Sequence, residues 1–440
     1  MAPVSPDHVY CVRGRGPLDA VVEVPGSKSI ANRALVCAAL ADGTTTLTRV
    51  PAGDDTEAML ACLGSLGLAV SRSGTTVAIH GGRAGFRPGP ITLHARLAGT
   101  TSRFVTALAA LGPGPYTIDG EPPLRRRPMA PLHDALIALG VRVTPGDVTL
   151  AEGTGNAHGH LPVSVQGPLD PTAHEVSLPG DISSQYLTAL MLIGPYLAHG
   201  LRVQLTTPLV SRPYVQMTAA VMVAFGVDGV HVGDTVIEVP AGEYRATSYD
   251  IEPDASSASY PLAAAAICGG TVRVPGLTAQ SLQGDAAFCR VLAQMGCTVE
   301  QDAHGTTVTR EGAALRGVDI DMVDMSDLVP TLAAVGAFAS SPVVIRGVGF
   351  IRAKESDRLS DLCAELRRAG VEAVDNADGL VVRPSTPHAA RVGTHHDHRL
   401  AMAFALVGLG LPVAADAIEV EDPGVVSKSW PEFWTMLEGL

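Results

Sequence analysis

The sequence predicts an α/β (α+β) chain of two domains built from six similar units. Three observations carry this. A small or polar loop, an Ala/Leu-rich helix, a turn and a Val/Thr/Ile strand recur, with openings about 70–85 residues apart. A second helix that ends in a Gly turn interleaves with the first. The chain has 440 residues, 46% hydrophobic and 17% charged, enough for two cores.

In order, Ser27-Lys28-Ser29 predicts a helix over Ala34–Leu40, then Gly43 and a strand over Thr44–Val50. Gly99-Thr100-Thr101 predicts Phe104–Leu111, then Gly114 and Tyr116–Asp119. Asp181 to Gln185 predicts Tyr186–Tyr196, then Gly200 and Leu201–Leu205. Asp254-Ala255-Ser256-Ser257 reads as a helix cap before Ala258–Cys268, Gly269-Gly270 and Thr271–Val274. Ser326-Asp327 predicts Leu332–Ala339, then Val343–Arg346; Asp397-His398-Arg399 predicts Leu400–Val407, then Gly410 and a strand over Pro412–Ala415. The interleaved Gly turns fall at Gly67, Gly140, Gly226, Gly296 and Gly370, and the sixth unit ends the chain with a helix from about Pro431. Six equivalent helix openings gather at equivalent positions. With three units per half, two faces would oppose across a cleft.

Composition excludes several classes. A net charge of −13 argues against nucleic acid or an acidic membrane as partner. Aromatics are 4%, so the core relies on Ala, Val, Leu and Ile. The 7 cysteines lack C-x-x-C spacing and read as buried reduced thiols, not a disulfide framework or zinc site. No uninterrupted apolar run reaches about 18 residues, and Met1 to Arg15 has no signal-peptide layout. The expectation is a soluble cytoplasmic protein.

In a chain poor in cations, their positions at loop tips are informative. Lys28 and Arg33 flank a helix opening, where backbone N–H groups and the dipole favour a phosphate or carboxylate. The alternative is a plain Ser N-cap with two solvent-facing cations. Arg125-Arg126-Arg127 is either a solvated face or part of a site. Lys354-Glu355-Ser356-Asp357-Arg358 is either a helix start with local ion pairs or a binding loop. His395-His396-Asp397-His398 has the residue types of a metal cluster, but adjacent histidines diverge and no second ligand set is evident. Neither a nucleotide phosphate loop nor a Gly-x-Ser-x-Gly elbow is present.

Taken together, Pro-Gly-Ser-Lys-Ser-x-x-Asn-Arg at 25–33, Ala98-Gly99-Thr100, Arg127-Pro128, Ser183-Ser184-Gln185, Ser211-Arg212-Pro213-Tyr214, Asp254 to Tyr260, Lys354 to Arg358 and Asp397-His398-Arg399 resemble one family. It is the 5-enolpyruvylshikimate-3-phosphate synthase family of enolpyruvyl transferases, and the resemblance runs from about Val21 to the C-terminus. It implies a two-domain inside-out α/β barrel of six βαβαββ-type repeats, three per domain, with the active site in the interdomain cleft. The domains would be 1–24 with 252–440, and 25–251. The implied reaction moves the enolpyruvyl group of phosphoenolpyruvate to the 5-hydroxyl of shikimate 3-phosphate and releases phosphate, with no metal or organic cofactor, in a typically monomeric enzyme.

The resemblance assigns shikimate 3-phosphate to Ser29, Arg33, Ser183, Ser184, Gln185, Ser211, Tyr214, Asp327 and Lys354. It assigns phosphoenolpyruvate to Lys28, Gly99, Arg127, Gln185, Arg358, Arg399 and Lys428. Asp327 would be the base, with Glu355 and Lys28 moving protons at the methylene carbon. Leu97 and Phe350 stand where many members have Asn, and Thr101-Ser102-Arg103-Phe104 differs from the usual Ala-Met-Arg-Pro. A nucleotide-sugar enzyme of the same kind usually carries a reactive Cys in the loop matching 97–127, and here none lies between Cys62 and Cys268. Retention of Lys28, Asp327 and Glu355 disfavours a non-catalytic anion-binding scaffold. A paralogue acting on another phosphorylated cyclitol stays open.

Overall fold

A computed structural model describes residues 9–146 and 158–440, so the first eight residues of the Met1–Arg15 stretch lie outside the described residues. The six first-position helices span Lys28–Leu40, Gly99–Ala109, Ser184–Ile193, Ala255–Cys268, Val329–Gly336 and His398–Leu409. Each starts before the position that apolar content suggests. Four of the six begin at a side-chain cap. Ser27 Oγ accepts from the Ile30 N–H at 3.4 Å, Asp254 Oδ1 from Ser256 and Ser257 N–H at 2.8 and 3.3 Å, and Asp397 Oδ1 from the Arg399 N–H at 2.9 Å. Polar residues expected in the loops are therefore first-turn residues, held in helical geometry.

The strands Tyr116–Asp119, Leu201–Leu205 and Val343–Arg346 stand where the pattern puts them. The sixth unit differs. Its strand is Ile418–Glu421, not Pro412–Ala415. Ile418 and Val420 alternate inward with Glu419 and Glu421, the period-2 pattern of a half-buried strand, whereas Pro412 lacks a ladder donor. The five turn glycines after the second helices all have positive φ, such as 107° at Gly67 and 109° at Gly296, where an L side chain would be strained.

The described strands form six sheets, five four-stranded and one three-stranded. In the four-stranded sheets an edge strand runs parallel to its neighbour, and the other two pairings are antiparallel. The unit Ile91–His94, Gly99–Ala109, Tyr116–Asp119, Ala130–Ala138, Arg142–Pro145 and Val163–Gln166 shows the strand–helix–strand–helix–strand–strand order in full.

The chain divides into two compact units: Met1–Pro25 with Glu252–Leu440, the terminal unit, and Gly26–Ile251, the inserted unit. Pairing explains how the insertion is accommodated. In the terminal unit Leu18–Val21 pairs parallel with Gly270–Pro275, so its first repeat is interrupted between its edge strand and its first helix. In the inserted unit Ser248–Asp250, the last strand, supplies the parallel edge for Gly43–Thr48. Val9–Val12 pairs antiparallel with Ile418–Glu421 and completes the sheet of the shortened sixth repeat. At the first crossing a Cβ on Gly26 would lie 1.8 Å from the Arg49 carbonyl oxygen, so only glycine fits. The Arg49 Nε–H in turn donates to the Ile251 carbonyl at 2.7 Å, fastening the second crossing to the same place.

Each unit has its own core. The first-position helices are buried on all sides: every residue from Ile30 to Leu40, and from His398 to Leu409, is buried. Among the cysteines, Cys11 is exposed and Cys268 half-buried, so the expectation of buried thiols holds only for Cys37, Cys62, Cys289, Cys297 and Cys363. Among the described residues no helix is long and apolar enough to cross a membrane.

Candidate active site

In the inserted unit Lys28 and Arg33 leave one helix about 140° apart and so serve different neighbours. Lys28 Nζ stands 2.9 Å from Asp55 Oδ2, in the first turn of the helix Asp54–Ser65. Arg33 is 2% exposed. Its Nε–H donates to Thr218 Oγ1 (2.8 Å), Nη1 to the Ser29 carbonyl (2.7 Å), and Nη2 to the Tyr214 carbonyl (3.1 Å) and Thr188 Oγ1 (3.3 Å). The guanidinium also lies 5.6 Å from the Phe104 ring centre and 5.9 Å from that of Tyr214. Burial lowers its pKa to about 10. The reading of a solvent-facing cation is thus corrected: Arg33 ties three helices together. Sequence alone could not show this, because its partners Thr188, Tyr214 and Thr218 are remote along the chain.

Thr101 Oγ1 donates to the Asp55 carbonyl at 3.0 Å, joining the next opening to the Lys28 partner. Arg103, not assigned a role from sequence, donates through Nη1 to Gln185 Oε1 at 2.8 Å, while Gln185 Nε2 donates to Thr100 Oγ1 at 3.2 Å. A Cβ on Gly99 would lie 2.7 Å from Nη1 of both Arg103 and Arg127, so the two guanidinium groups converge on that backbone. The three-arginine run separates into three fates. Arg125 holds Asp119 through Nε and Nη2 at 2.9 and 2.8 Å, Arg126 is exposed, and Arg127 faces Gly99. Ser183 caps its helix by accepting from the Gln185 N–H at 3.3 Å, and Ser184 is the first helical residue. Ser211, left-handed at φ 56°, opens the helix that carries Tyr214.

In the terminal unit one arginine organises the site. Arg358 is 1% exposed and donates to Asp327 Oδ1 (2.9 Å), Glu355 Oε2 (2.5 Å) and Asp397 Oδ2 (2.7 Å). Burial opposes its charge, but Asp397, Glu355 and Asp327 outweigh it and hold the guanidinium above its ordinary value. Asp327 also accepts from Arg399 Nη2 at 2.7 Å, with Lys354 Nζ at 3.8 Å. Burial by itself would raise the Asp327 carboxyl; Arg399, Lys354 and Arg358 overcome it and keep the group ionised, well below the usual carboxylate range. Lys428 Nζ lies 3.9 Å from Glu355 Oε1. Lys354, Glu355, Arg358, Asp327, Arg399 and Lys428 are therefore one connected set. The local Glu355–Arg358 pair exists, but it is one link of that set. Asp397, known from sequence only as part of a motif, is its buried anchor.

The histidines diverge: His395 turns to Glu365, and His396 to Asp422. Among the described residues no His/Cys/Asp/Glu group could hold a metal ion.

A second buried carboxyl, Asp285, accompanies the set, hydrogen-bonded to Ser256 Oγ. Burial and the neighbouring Asp327 raise its pKa to about 7, against the smaller opposite effects of the Ser256 bond and Arg399. A folded-state pKa above the unfolded value means that the folded chain holds the proton more tightly, so stability falls as pH rises from about 4 to 7. Asp285→Asn removes that slope. The variant's melting temperature relative to wild type is expected to climb between pH 4 and 7; a constant difference by thermal unfolding would refute the neutral carboxyl.

The EPSP synthase (3-phosphoshikimate 1-carboxyvinyltransferase) family model matches residues 12–437. The chain belongs to the EPSP synthase family. A 3-phosphoshikimate 1-carboxyvinyltransferase of Nostoc sp. (strain PCC 7120) is 43% identical over 95% of this chain and 96% of its own length. One from Methanoculleus marisnigri is 38% identical over 96% and 97%. The solved EPSP synthase of Acinetobacter baumannii shares the fold, with a TM-score of 0.79 at 24% identity over 98% of this chain and 97% of that one. Two of the departures from the EPSP synthase pattern have different surroundings: Leu97 is exposed just before Gly99, whereas Phe350 packs against the terminal-unit core.

Proposed function

We propose that this chain transfers the enolpyruvyl group of phosphoenolpyruvate to the 5-hydroxyl of shikimate 3-phosphate, with release of phosphate, in the shikimate route to aromatic amino acids. The observation that carries this reading is Asp327, a carboxylate kept ionised among Arg358, Arg399 and Lys354. An ionised carboxylate is free to accept a hydroxyl proton, and anionic substrates that engage Arg399, Lys354 and Arg358 would lift its pKa back toward the range a base needs.

The attacking hydroxyl oxygen bonds to the central enol carbon as Asp327 takes its proton. The methylene carbon gains a proton, a transfer that the family resemblance assigns to Glu355 and Lys28. The tetrahedral adduct then expels phosphate with the C–O bond pair, and loss of a methyl proton restores the double bond. Ser29, Arg33, Ser183, Ser184, Ser211, Tyr214 and Lys354 take the acceptor, although four of the five Arg33 N–H groups already have protein partners. Lys28, Gly99, Arg127, Arg358, Arg399 and Lys428 take phosphoenolpyruvate, with Gln185 touching both. The enzyme works as a cytoplasmic monomer, without metal or organic cofactor.

The test is phosphate release from phosphoenolpyruvate with shikimate 3-phosphate present. Release only with a different phosphorylated cyclitol would overturn the assignment. Gly99→Ala probes the smaller substrate. Its methyl would stand 2.7 Å from the Arg103 and Arg127 nitrogens, flexible groups that can move at little cost to the fold. The expected result is a KM for phosphoenolpyruvate raised about tenfold with an unchanged melting temperature, read by steady-state kinetics.

A further inference from the structure

Two consecutive non-glycine residues with left-handed backbone, His395 (φ 50°) and His396 (φ 58°), stand directly before Asp397. Such a turn persists only where its surroundings over-determine it. The holder is Glu365, within the helix Ser360–Arg368. Its carboxylate is buried; Oε1 lies 2.9 Å from His395 Nε2, and Oε2 accepts from the Gly393 N–H at 3.0 Å. Arg368 Nη1 reaches the same carboxylate at 3.1 Å from an exposed position, and His395 Nδ1 is 3.7 Å from Asp361 Oδ1. The His396 ring turns the other way, 3.6 Å from Asp422.

The helix that carries Glu365 is entered through Arg358, whose Nε–H donates to Asp397. The loop 393–397 is therefore fastened at two places, to this helix by the Glu365 carboxylate and to the segment leading into it by the Arg358–Asp397 bond. Asp397 caps the helix His398–Leu409, and Arg399 lies in its first turn. A relaxed turn would move both.

We propose that Glu365 and His395 are positioning residues for the anion-binding arginines: by holding the left-handed turn, they set where Asp397 and Arg399 stand. This rests on the reading that Arg358 and Arg399 hold phosphoenolpyruvate. Neither Glu365 nor His395 is among the residues assigned to a substrate, so their loss weakens binding of the smaller anion without removing a reacting group.

His395→Gly keeps the left-handed backbone at no steric cost and deletes only the side-chain tie. Glu365→Gln keeps the shape but leaves one acceptor oxygen where the carboxylate served His395, the Gly393 N–H and Arg368. Each is expected to raise the KM for phosphoenolpyruvate about tenfold, with kcat and the KM for shikimate 3-phosphate within about twofold of wild type. Because His395 acts through Glu365, the double variant should be no worse than the poorer single. Arg399→Ala, assayed alongside, tests the underlying reading: an unchanged KM for phosphoenolpyruvate there would remove the anion site itself. An impaired Arg399→Ala beside a normal His395→Gly would overturn the positioning role. So would additive effects in the double variant, or a lowered melting temperature with an unchanged KM.

Discussion

Lys28→Met is expected to lower phosphate release at least about 10³-fold while the fold persists. Methionine keeps most of the stem volume and removes the charge and the proton. Lysine is suited to this place because its ammonium is a movable point charge that can donate or accept a proton. Nζ is 2.9 Å from Asp55 Oδ2, so the variant leaves a largely buried carboxylate without its ammonium partner. Asp55 lies in the first turn of its helix, where the dipole favours a negative charge, which limits the cost to about 1–3 kcal/mol. Asp55→Asn separates the two effects. It removes the pair but keeps the lysine, and should leave far more activity than Lys28→Met. Turnover of Lys28→Met within tenfold of wild type would refute a role for Lys28 in proton movement.

Arg358→Met should produce the largest loss of stability in the terminal unit. The guanidinium serves Asp327, Glu355 and Asp397 from a fully buried position. Removing one partner of a buried ion network leaves uncompensated charge and costs about 3–5 kcal/mol. Activity should vanish as well, because Asp327 and Arg399 lose their common neighbour. The pH dependence gives a separate check. The folded-state pKa of Asp327 lies below its ordinary 3.8, so its contribution is present above about pH 4 and is lost as pH falls. Wild type and variant should therefore differ most near neutrality and converge in acid. Denaturant unfolding at pH 7 and pH 3 measures this; an equal gap at both would show that the carboxylates do not depend on Arg358.

The cadence of helix openings and Gly turns was legible because it depends on local periodicity and on residues that cap or terminate helices. The strand of the sixth unit was not. Pro412–Ala415 has the apolar content of a strand, but Ile418–Glu421 has the alternation and the partner, Val9–Val12, from the opposite end of the chain. The swapped edge strands Leu18–Val21 and Ser248–Asp250 were hidden for the same reason. At the candidate site, residue types could mark Lys28, Asp327, Glu355 and Arg358 as chemically interesting. Asp55, Asp285 and Glu365 carried no comparable local signal, since an acidic residue on or beside a helix is common on any surface.

By itself the sequence determined the six-unit pattern, the caps Ser27, Ser183, Asp254 and Asp397 and the family, all of which depend on residue type and spacing. Only the tertiary structure decided what each charge does. Of two cations on one helix, it placed Lys28 against Asp55 and sealed Arg33 among Thr188, Tyr214 and Thr218. The physical reason is that a charge takes its role from desolvation and from partners brought close by packing, and those partners lie up to 185 residues away in the chain.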